Sequence, residues 1–393
     1  MIRAKPLQYS RSPATVAVEI AQETANVVII GGGVVGCAVA METAAITEDV
    51  FLLEEMPQLG MGASSRNSGV IHSGIYYPKG SRKARHCVAG NRLSYEFCEK
   101  HGVPHRRTGK VVVAATTGEE PQLEALKKRG EENGVEGLRL IDQRELQARE
   151  PHVEGRAALE VPSSGLVMSE ELVKAYARVA AGRGANVLTH SKVSALEPSP
   201  AGVRVTSERG TIEARAVVNC AGLFSDEVAA LAGFTKYRIQ PTRGDYCEAV
   251  PAKSHLVHSL VYPLPEAGIY SLGVHLTKTL WGTLLVGPTA RPATSKMDYE
   301  SDRVPVAEFA RGARVLLPEL REEDLRPAYS GIRAKLALAD GSAGRPKETA
   351  DFVIERDPRI PCLIHMIGIE SPGLTAAWSL AREVAAMVKE TLG

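Results

Sequence analysis

Three glycines and one acid carry the clearest chemical signal in the chain. Gly31, Gly33 and Gly36 fit the spacing Gly-x-Gly-x-x-Gly, in which missing side chains permit a tight turn, close approach of the backbone to a pyrophosphate, and packing of a helix on a strand. Glu54 follows eighteen residues after Gly36, where a carboxylate accepts hydrogen bonds from a ribose diol. The pattern predicts a dinucleotide site, with phosphate at the positive end of a helix dipole.

A second candidate region is the polar run over residues 60–74. It is rich in glycine and hydroxyl-bearing residues and includes one histidine, His72. Because loops that bind ligands are often built from small polar residues beside a rigid fold, this composition favours a ligand-lined loop over a plain connection.

The elements that position these residues follow from local patterns. An apolar strand at 27–30 runs into the glycine turn and a helix, and 50–53 supplies the second strand. Helices are predicted at 82–101, ending at Gly102, at 169–182, from Ser225, and from Pro372 to Leu392. Two more helices are predicted from their N-terminal signals, one after a capping box of Thr117 and Glu120 and one after an acid-capped turn of Asp142 and Glu145. Further strands are predicted at 110–115, 185–190, 202–206, 211–218, 246–250, 283–286, 351–355 and 362–367.

Composition bounds the class of protein. The chain has 393 residues, of which 44% are hydrophobic and 24% charged, so it can bury a large core in two domains or one large α/β body. Its 47 basic and 46 acidic residues give a net charge of +1, which offers no electrostatic case for binding nucleic acid. The longest apolar stretch, 27–46, contains four glycines and Glu42, so no transmembrane helix is expected, while peripheral membrane contact stays open.

Cysteine usage points to a reducing compartment. The six cysteines form no Cys-x-x-Cys pair, and the histidines do not cluster at metal-ligand spacing. We therefore expect small buried thiols and no metal site. The cysteines are Cys37, Cys87, Cys98, Cys220, Cys247 and Cys362.

The first 25 residues read as an extension. They carry Arg3, Lys5 and Arg11 with several hydroxyls and no acid before Glu19, and they lack the apolar core of a secretory signal. Two interpretations stay open at this point: a short organellar targeting sequence, or a disordered lead-in of a cytosolic protein.

The chain resembles the FAD-dependent oxidoreductases of the D-amino-acid oxidase and glycine oxidase superfamily and, within them, the L-2-hydroxyglutarate dehydrogenases. The matching stretches are the first glycine turn, 64–77, 272–275, 329–333 and 368–375. The resemblance implies an α/β fold with a Rossmann-like FAD-binding domain of the glutathione-reductase type and an inserted α+β substrate domain built on a mostly antiparallel sheet. The FAD-binding domain is expected at 26–100, 155–237 and 328–393, and the substrate domain at 101–154 and 238–327, after an N-terminal extension at 1–25.

The resemblance also implies noncovalent FAD. Positions that match the family's cofactor-binding residues lie in the first turn, the polar loop, a strand beside adenine, a turn near the cofactor and the last helix. They are Gly31, Gly33, Gly36, Glu54, Ser64, Ser65, Asn67, Ser68, Val193, Ala221, Gly222, Gly373, Leu374 and Thr375. The N–H groups that open the last helix could hold negative charge at N1 and O2 of the reduced flavin.

Three chemical roles follow from the resemblance. Arg333 is expected to bind the substrate carboxylate, because a planar guanidinium binds carboxylate through two hydrogen bonds. His72 and His275 are both candidates for the base that takes the hydroxyl proton, since imidazole has a reference pKa of about 6.5. The sequence leaves open which histidine acts. Tyr262 is expected to wall the substrate pocket, with His275 also contacting the substrate.

The implied reaction is FAD-dependent oxidation of L-2-hydroxyglutarate to 2-oxoglutarate by hydride transfer to flavin N5, with electrons passed to a quinone-linked acceptor. The implied location is mitochondrial in a eukaryote, and otherwise cytoplasmic, with or without membrane association.

Three alternatives are kept. An amino-acid or N-methylamine oxidase of the glycine or sarcosine type would use the same fold and arginine but bind an amine and produce peroxide. An NAD-dependent dehydrogenase is disfavoured by the serine-rich loop and the C-terminal glycine motif. The last alternative is a flavin-binding protein without turnover.

Overall fold

The computed structural model describes residues 20–265, 273–338 and 350–393. Residues 1–19 of the expected N-terminal extension and Leu272 of a matching stretch lie outside the described residues. The helices are α1 (Val34–Thr43), α2 (Arg82–His101), α3 (Glu120–Glu132), α4 (Gln143–Arg149), α5 (Ser169–Gly182), α6 (Ser225–Leu231), α7 (Val306–Ala313) and α8 (Gly373–Leu392). The strands are β1 (Ile20–Ile30), β2 (Val50–Leu53), β3 (Val70–Ile71), β4 (His105–Arg106), β5 (Lys110–Ala114), β6 (Arg139–Asp142), β7 (Ala157–Val161), β8 (Gly165–Val167), β9 (Asn186–Leu188), β10 (Val193–Ser199), β11 (Gly202–Ser207), β12 (Gly210–Asn219), β13 (Tyr237–Ala249), β14 (Leu260–Pro263), β15 (Leu276–Lys278), β16 (Leu284–Val286), β17 (Arg291–Pro292), β18 (Leu325–Leu338), β19 (Val353–Arg356) and β20 (Leu363–Ile367).

The first sheet carries the glycine turn. Its order is β10-β11-β12-β1-β2-β9, with β20 on β12 and β19 on β20, and β1 runs parallel to both β2 and β12. Val27 and Ile29 of β1 face a core shared with α1, α5 and α8, while Val28 and Ile30 face a second core on the opposite side. Burial on both faces explains why this strand reads as a continuous apolar run.

The second sheet is mostly antiparallel. Its order is β17-β13-β16-β15-β14-β5-β7-β6, and β18 pairs with β13 along nearly the whole length of both strands. One pair, β5 with β14, is parallel. A separate apolar core, which includes Phe309 of α7, packs on this sheet.

Strand pairing places two segments differently from the expected domain boundaries. β7 pairs with β5 and β6 of the second sheet, whereas the resemblance predicts residues 155–237 in the FAD-binding domain. β18 belongs to the second sheet up to residue 338, whereas the expected boundary lies at 328. The physical reason is backbone pairing between segments distant in sequence, which no local pattern reveals.

The observed helix ends confirm some of the capping signals predicted from the sequence and contradict one. Asp142 and Glu145 form the predicted capping box at α4, and Gly102 closes α2 in a left-handed conformation with φ of 67°. The capping box predicted for Thr117 and Glu120 is wrong, because α3 begins after Glu119 without a side-chain cap. The Glu120 carboxylate accepts the N–H of Gly118 instead.

Several smaller features complete the fold. The six cysteines are free thiols, and five of them are buried. Among the described helices, none is long and apolar enough to cross a membrane. The two tryptophans lie in contrasting places: Trp281, between β15 and β16, is 72% exposed, whereas Trp378 of α8 lies edge-on to Phe97 and donates a 2.7 Å hydrogen bond to Glu42.

Candidate active site

A cavity of about 1430 Å³ lies between the two sheets. Its wall includes the β1–α1 turn, loop 60–68 and the start of α8, together with Tyr262, His275 and Arg333 from the second sheet. Pockets for a single small ligand span roughly 300–1000 Å³. The larger volume suits an extended dinucleotide together with a small substrate.

The glycine turn is a close-packed cradle. Gly31 has φ of 108°, and a Cβ there would lie 2.6 Å from the Cys220 carbonyl oxygen. A Cβ on Gly36 would lie 1.9 Å from the Gly31 carbonyl oxygen, so this glycine lets α1 pack directly on the turn. Gly33 lines the cavity and caps α1 through its backbone alone. Only a chain without side chains at these points can form this surface, which fits a pyrophosphate.

Glu54 is held at the cavity wall from two sides. Its Oε2 accepts the N–H of Gly32 at 2.6 Å, and its Oε1 accepts the N–H of Met56 at 2.8 Å. Burial raises the pKa of this carboxyl above its usual value. Since each carboxylate oxygen has a second lone pair, Glu54 retains acceptor capacity for a ribose diol.

Loop 60–68 is shaped by its own polar groups. Asn67 donates to the Ser64 carbonyl (2.7 Å) and accepts the N–H of Gly69 (2.8 Å), while Ser64 Oγ accepts the N–H of Val34 at the start of α1 (2.9 Å). Ser64, Asn67 and Ser68 line the cavity. The Ser65 hydroxyl bonds back to the Gly62 carbonyl at 3.4 Å and is not part of the wall.

Five more of the residues that the resemblance predicts to bind the cofactor lie on the cavity wall. Val193, Ala221, Gly222, Gly373 and Leu374 line the cavity. No described side chain caps the first turn of α8, and the N–H of Gly373 bonds to the Glu370 carbonyl, which leaves the N–H groups of Leu374 and Thr375 for an anionic ligand.

The Thr375 side chain does not line the cavity, although the resemblance predicts this residue among those that bind the cofactor. Its Oγ1 accepts the N–H of His72 at 2.9 Å and donates to the Val70 carbonyl at 3.3 Å. Its side chain therefore positions the histidine loop against α8.

Arg333 projects from the long β13–β18 pair, opposite Thr242. Its Nη1 donates to the Thr289 carbonyl at 3.2 Å, and a Cβ on Gly244 would lie 2.9 Å from the same nitrogen. The guanidinium is half-buried at the cavity wall. One side of the group is thus fixed by the backbone while the rest faces the space where an anion would bind.

His72 and His275 both line the cavity and both stay neutral. Burial, reinforced by the charge of Lys110, lowers the pKa of His72 to about 3 and that of His275 well below its usual value. Neither Nδ1 has a hydrogen-bond partner in the described part of the chain. The Nε2 of His72 lies 3.4 Å from Ser371 Oγ, and the ring of His275 stacks on Tyr262 with centroids 3.8 Å apart.

Lys110 is the site neighbour that sequence reasoning missed. It opens the apolar strand β5, is 2% exposed, and its Nζ lies 4.1 Å from the ring centroid of Tyr262 and 5.4 Å from that of Tyr76. Burial lowers the pKa of its ammonium to about 7. The available signal was a lysine directly before Val-Val-Val-Ala, in a strand with every residue buried.

Tyr76 and Tyr246 were also missed. Both line the cavity, and burial raises the pKa of each hydroxyl, so both stay protonated near neutral pH. Tyr246 stacks on Tyr329 and its hydroxyl bonds to Ser68, which ties the second sheet to the cofactor loop. The arrangement offers a cation for a carboxylate and two neutral imidazoles for a proton, beside a dinucleotide cradle.

The chain belongs to the family of FAD-dependent oxidoreductases, whose model, described as "FAD dependent oxidoreductase", matches residues 26–387. FAD is accordingly the cofactor of this class, as predicted, and the cradle described above fits it. Among curated proteins, the chain is similar to L-2-hydroxyglutarate dehydrogenase of Escherichia coli strain K12, with 32% identity over 93% of each chain. It is 34% identical to the mitochondrial L-2-hydroxyglutarate dehydrogenase of Caenorhabditis elegans, covering 91% of this chain and 92% of that one.

Solved structures confirm the predicted fold. The L-alpha-glycerophosphate oxidase of Mycoplasma pneumoniae with FAD bound matches with a TM-score of 0.83 and 26% identity, over 93% of this chain and 95% of that chain. The glycine oxidase of Geobacillus kaustophilus matches with a TM-score of 0.76 over 94% and 95% of the two chains, and its 22% identity supports the fold alone.

Proposed function

We propose that this chain oxidises L-2-hydroxyglutarate to 2-oxoglutarate. The observation that carries the proposal is the meeting of Arg333, His72 and His275 on the wall of one cavity with the dinucleotide cradle, in a chain 32% identical to curated L-2-hydroxyglutarate dehydrogenases. The chemistry that FAD supplies when bound is acceptance of a hydride from C2 of the substrate at its N5.

Arg333 binds the carboxylate next to C2. Its Nη1 is anchored to the Thr289 carbonyl, so the guanidinium loses little rotational freedom when an anion arrives. The fixed carboxylate is one of the contacts that together set which face of C2 is presented to the flavin.

One of the two histidines takes the hydroxyl proton. Both are neutral through the physiological range because burial and Lys110 lower their pKa values. A neutral imidazole has a ring nitrogen free to accept a hydrogen bond from the substrate hydroxyl, and its lowered pKa makes it a weaker base than a solvated histidine. Thr375 holds the backbone of His72 and Ser371 lies 3.4 Å from its Nε2, while the ring of His275 stacks on Tyr262.

The buried walls keep water from the reacting centre. Tyr262 is 1% exposed and Tyr246 is 6% exposed, and both line the cavity. The first turn of α8 borders the same space, where the positive end of the helix dipole would stabilise negative charge on the ring system of a bound flavin.

The test is an anaerobic titration of the purified protein that follows the visible flavin absorbance. L-2-hydroxyglutarate, its D enantiomer, glycine and sarcosine are added in turn. Bleaching by the L-hydroxy acid alone is expected and would establish cofactor, reaction and stereochemistry together. Bleaching only by an amine would contradict the proposal and support an amine oxidase, the alternative that the comparisons disfavour.

We propose further that the electrons pass to a quinone-linked acceptor in preference to oxygen, and that the enzyme is mitochondrial if its host is eukaryotic and otherwise cytoplasmic. The support comes from relatives: those of Caenorhabditis elegans and Mus musculus are named mitochondrial. Comparing turnover with a short-chain ubiquinone and with oxygen, alongside a peroxide assay, tests the acceptor. Stoichiometric peroxide at equal rates would contradict it.

A further inference from the structure

We propose that Lys110 is a positioning residue that makes the cavity selective for a doubly anionic substrate. The proposal rests on the proposed function and deepens it by naming what distinguishes a 2-hydroxy dicarboxylate from a 2-hydroxy monocarboxylate.

The first step is the isolation of this ammonium. Lys110 is 2% exposed and its Nζ has no hydrogen-bond partner among residues 20–265, 273–338 and 350–393, so no carboxylate there neutralises it. Burying a charge without a partner is strongly unfavourable. Where Lys110 is protonated, this position behind the cavity wall therefore carries a positive charge that no described carboxylate neutralises.

The second step is where that potential acts. Lys110 lies behind the cavity wall: its ammonium packs on the faces of Tyr262 and Tyr76, both of which line the cavity. Cation–π packing holds the Tyr262 ring, which in turn stacks on His275. Lys110 therefore acts through these rings and through its field, without touching the substrate.

The third step is the set of charges around it. The titratable neighbours are His72 and Tyr76 before α2, Cys87 on α2, Tyr262 on β14 and His275 before β15. Burial keeps both tyrosines and the thiol protonated, and both imidazoles are neutral at physiological pH.

Arg333 is the other cation near His275, and, beyond burial, its charge together with that of Lys110 lowers the pKa of this histidine. Acidic residues also line the cavity: Glu370 is paired with Lys83, and Glu54 lies in the glycine-turn cradle. Arg333 on the wall and Lys110 behind it are the two cations that act on His275, and a dicarboxylate has one carboxylate for each.

Because Lys110 has a pKa of about 7 while its neighbours titrate outside the neutral range, it alone in this group changes charge between pH 6 and 9. Below pH 7 the ammonium attracts the second carboxylate, and above pH 7 that attraction is lost. The KM of the wild type for L-2-hydroxyglutarate should therefore rise about ten-fold between pH 6 and 9.

Two variants separate charge from shape. In K110M the KM should be high at every pH, because no charge is present. In K110R it should stay low through pH 9, since guanidinium remains protonated. The increase in K110M should be about ten-fold for L-2-hydroxyglutarate and at most two-fold for L-2-hydroxyvalerate, which has the same chain length and one carboxylate. Equal effects on the two substrates, or three superimposable pH profiles, would overturn the proposal.

Stability gives a readout that does not depend on turnover. Removing a buried ammonium without a partner should raise the Tm of K110M holoenzyme, and more at pH 6 than at pH 9, because the folded protein loses this charge above about pH 7 while the unfolded lysine keeps it to about pH 10. Lys83 is the matched contrast: it is equally buried, but its Nζ lies 3.0 Å from Glu370, so K83M should lower the Tm. A fall in Tm for K110M would point to a purely structural lysine.

Binding of glutarate, followed by its perturbation of the flavin spectrum, separates this proposal from the reaction. If the wild type binds glutarate with the stated pH dependence but no hydroxy acid bleaches the flavin, the proposed function fails and the role of Lys110 stands. If bleaching occurs while glutarate binding is independent of pH and of Lys110, the role of Lys110 fails alone.

Discussion

The two halves of the cavity satisfy their polar groups in different ways. On the side of the first sheet, Glu54, Ser64 and Asn67 each bond to backbone groups within 3 Å. On the side of the second sheet, Lys110 Nζ and the Nδ1 of His275 have no such partner in the described chain.

The difference matches what each half is proposed to bind. A cofactor that stays bound is served by a preformed surface made of backbone and self-satisfied side chains. On the substrate side, groups are left without internal partners, at the expense of stability. We expect His275 to bond to the ligand, while Lys110 acts on it through its charge from behind the wall. Substitutions in the first half should therefore act on FAD retention, and those in the second on catalysis.

The largest effect is expected from Gly31→Ala. The new Cβ would lie 2.6 Å from the Cys220 carbonyl oxygen in a backbone conformation that disfavours any side chain. We expect purified protein without FAD, measured by flavin absorbance per chain. Gly182→Ala at the end of α5, where a Cβ meets nothing within 4 Å, is the control and should retain full flavin. A normal flavin content in Gly31→Ala would remove the cradle from cofactor binding.

Arg333→Met should come next. Losing a charge-assisted pair with the carboxylate removes about 3 kcal/mol of binding, or roughly a hundred-fold in kcat/KM, expressed mainly as a higher KM. FAD content should be unchanged, since the two halves are separate. Arg238→Met, an exposed arginine on β13, is the matched control. An unaltered KM would sink the carboxylate assignment.

His72→Asn and His275→Asn should separate the two base candidates. For at least one of them kcat should fall about a hundred-fold, the usual contribution of a positioned base, with FAD still bound. His152→Asn, on an exposed ion pair with Glu319, serves as control. Two variants with near-wild-type kcat would exclude histidine from the base role.

The smallest effect is expected from Ser64→Ala in the self-satisfied half. It removes the acceptor for the N–H of Val34 and should lower the free energy of unfolding by about 1 kcal/mol. FAD affinity should weaken slightly while the kcat of loaded enzyme stays constant. A large loss of kcat with full flavin would contradict the separation of cofactor retention from catalysis between the two halves.

Local sequence patterns predicted most of the first half. The strand, the glycine turn, α1 and β2 lie within about thirty residues, so spacing and apolar periodicity were enough to find them. The second half depends on pairings such as β13 with β18, whose partners lie some ninety residues apart. There the resemblance to a family identified Arg333 and His275, and their roles remain predictions.

The sequence did not predict the places of Lys110 and Tyr76 at the site, or that the Thr375 side chain bonds to the histidine loop. The reason is the same for all three. Whether a polar atom finds a partner is decided by the packing of distant segments, and neither residue type nor spacing encodes it. The expected boundaries at 155 and 328 differ from the strand pairing for the same reason, because β7 and β18 pair in the second sheet with segments distant in sequence.

The placement of the two tryptophans makes each sheet optically distinct. Trp281 on the second sheet is mostly solvated and should emit at long wavelength, whereas Trp378, packed against Phe97 beneath the first sheet, should emit further to the blue. A Trp281→Phe variant leaves one emitter in the nucleotide-binding half, and Trp378→Phe leaves one in the other. Denaturation followed by each would reveal whether the halves melt together or in sequence.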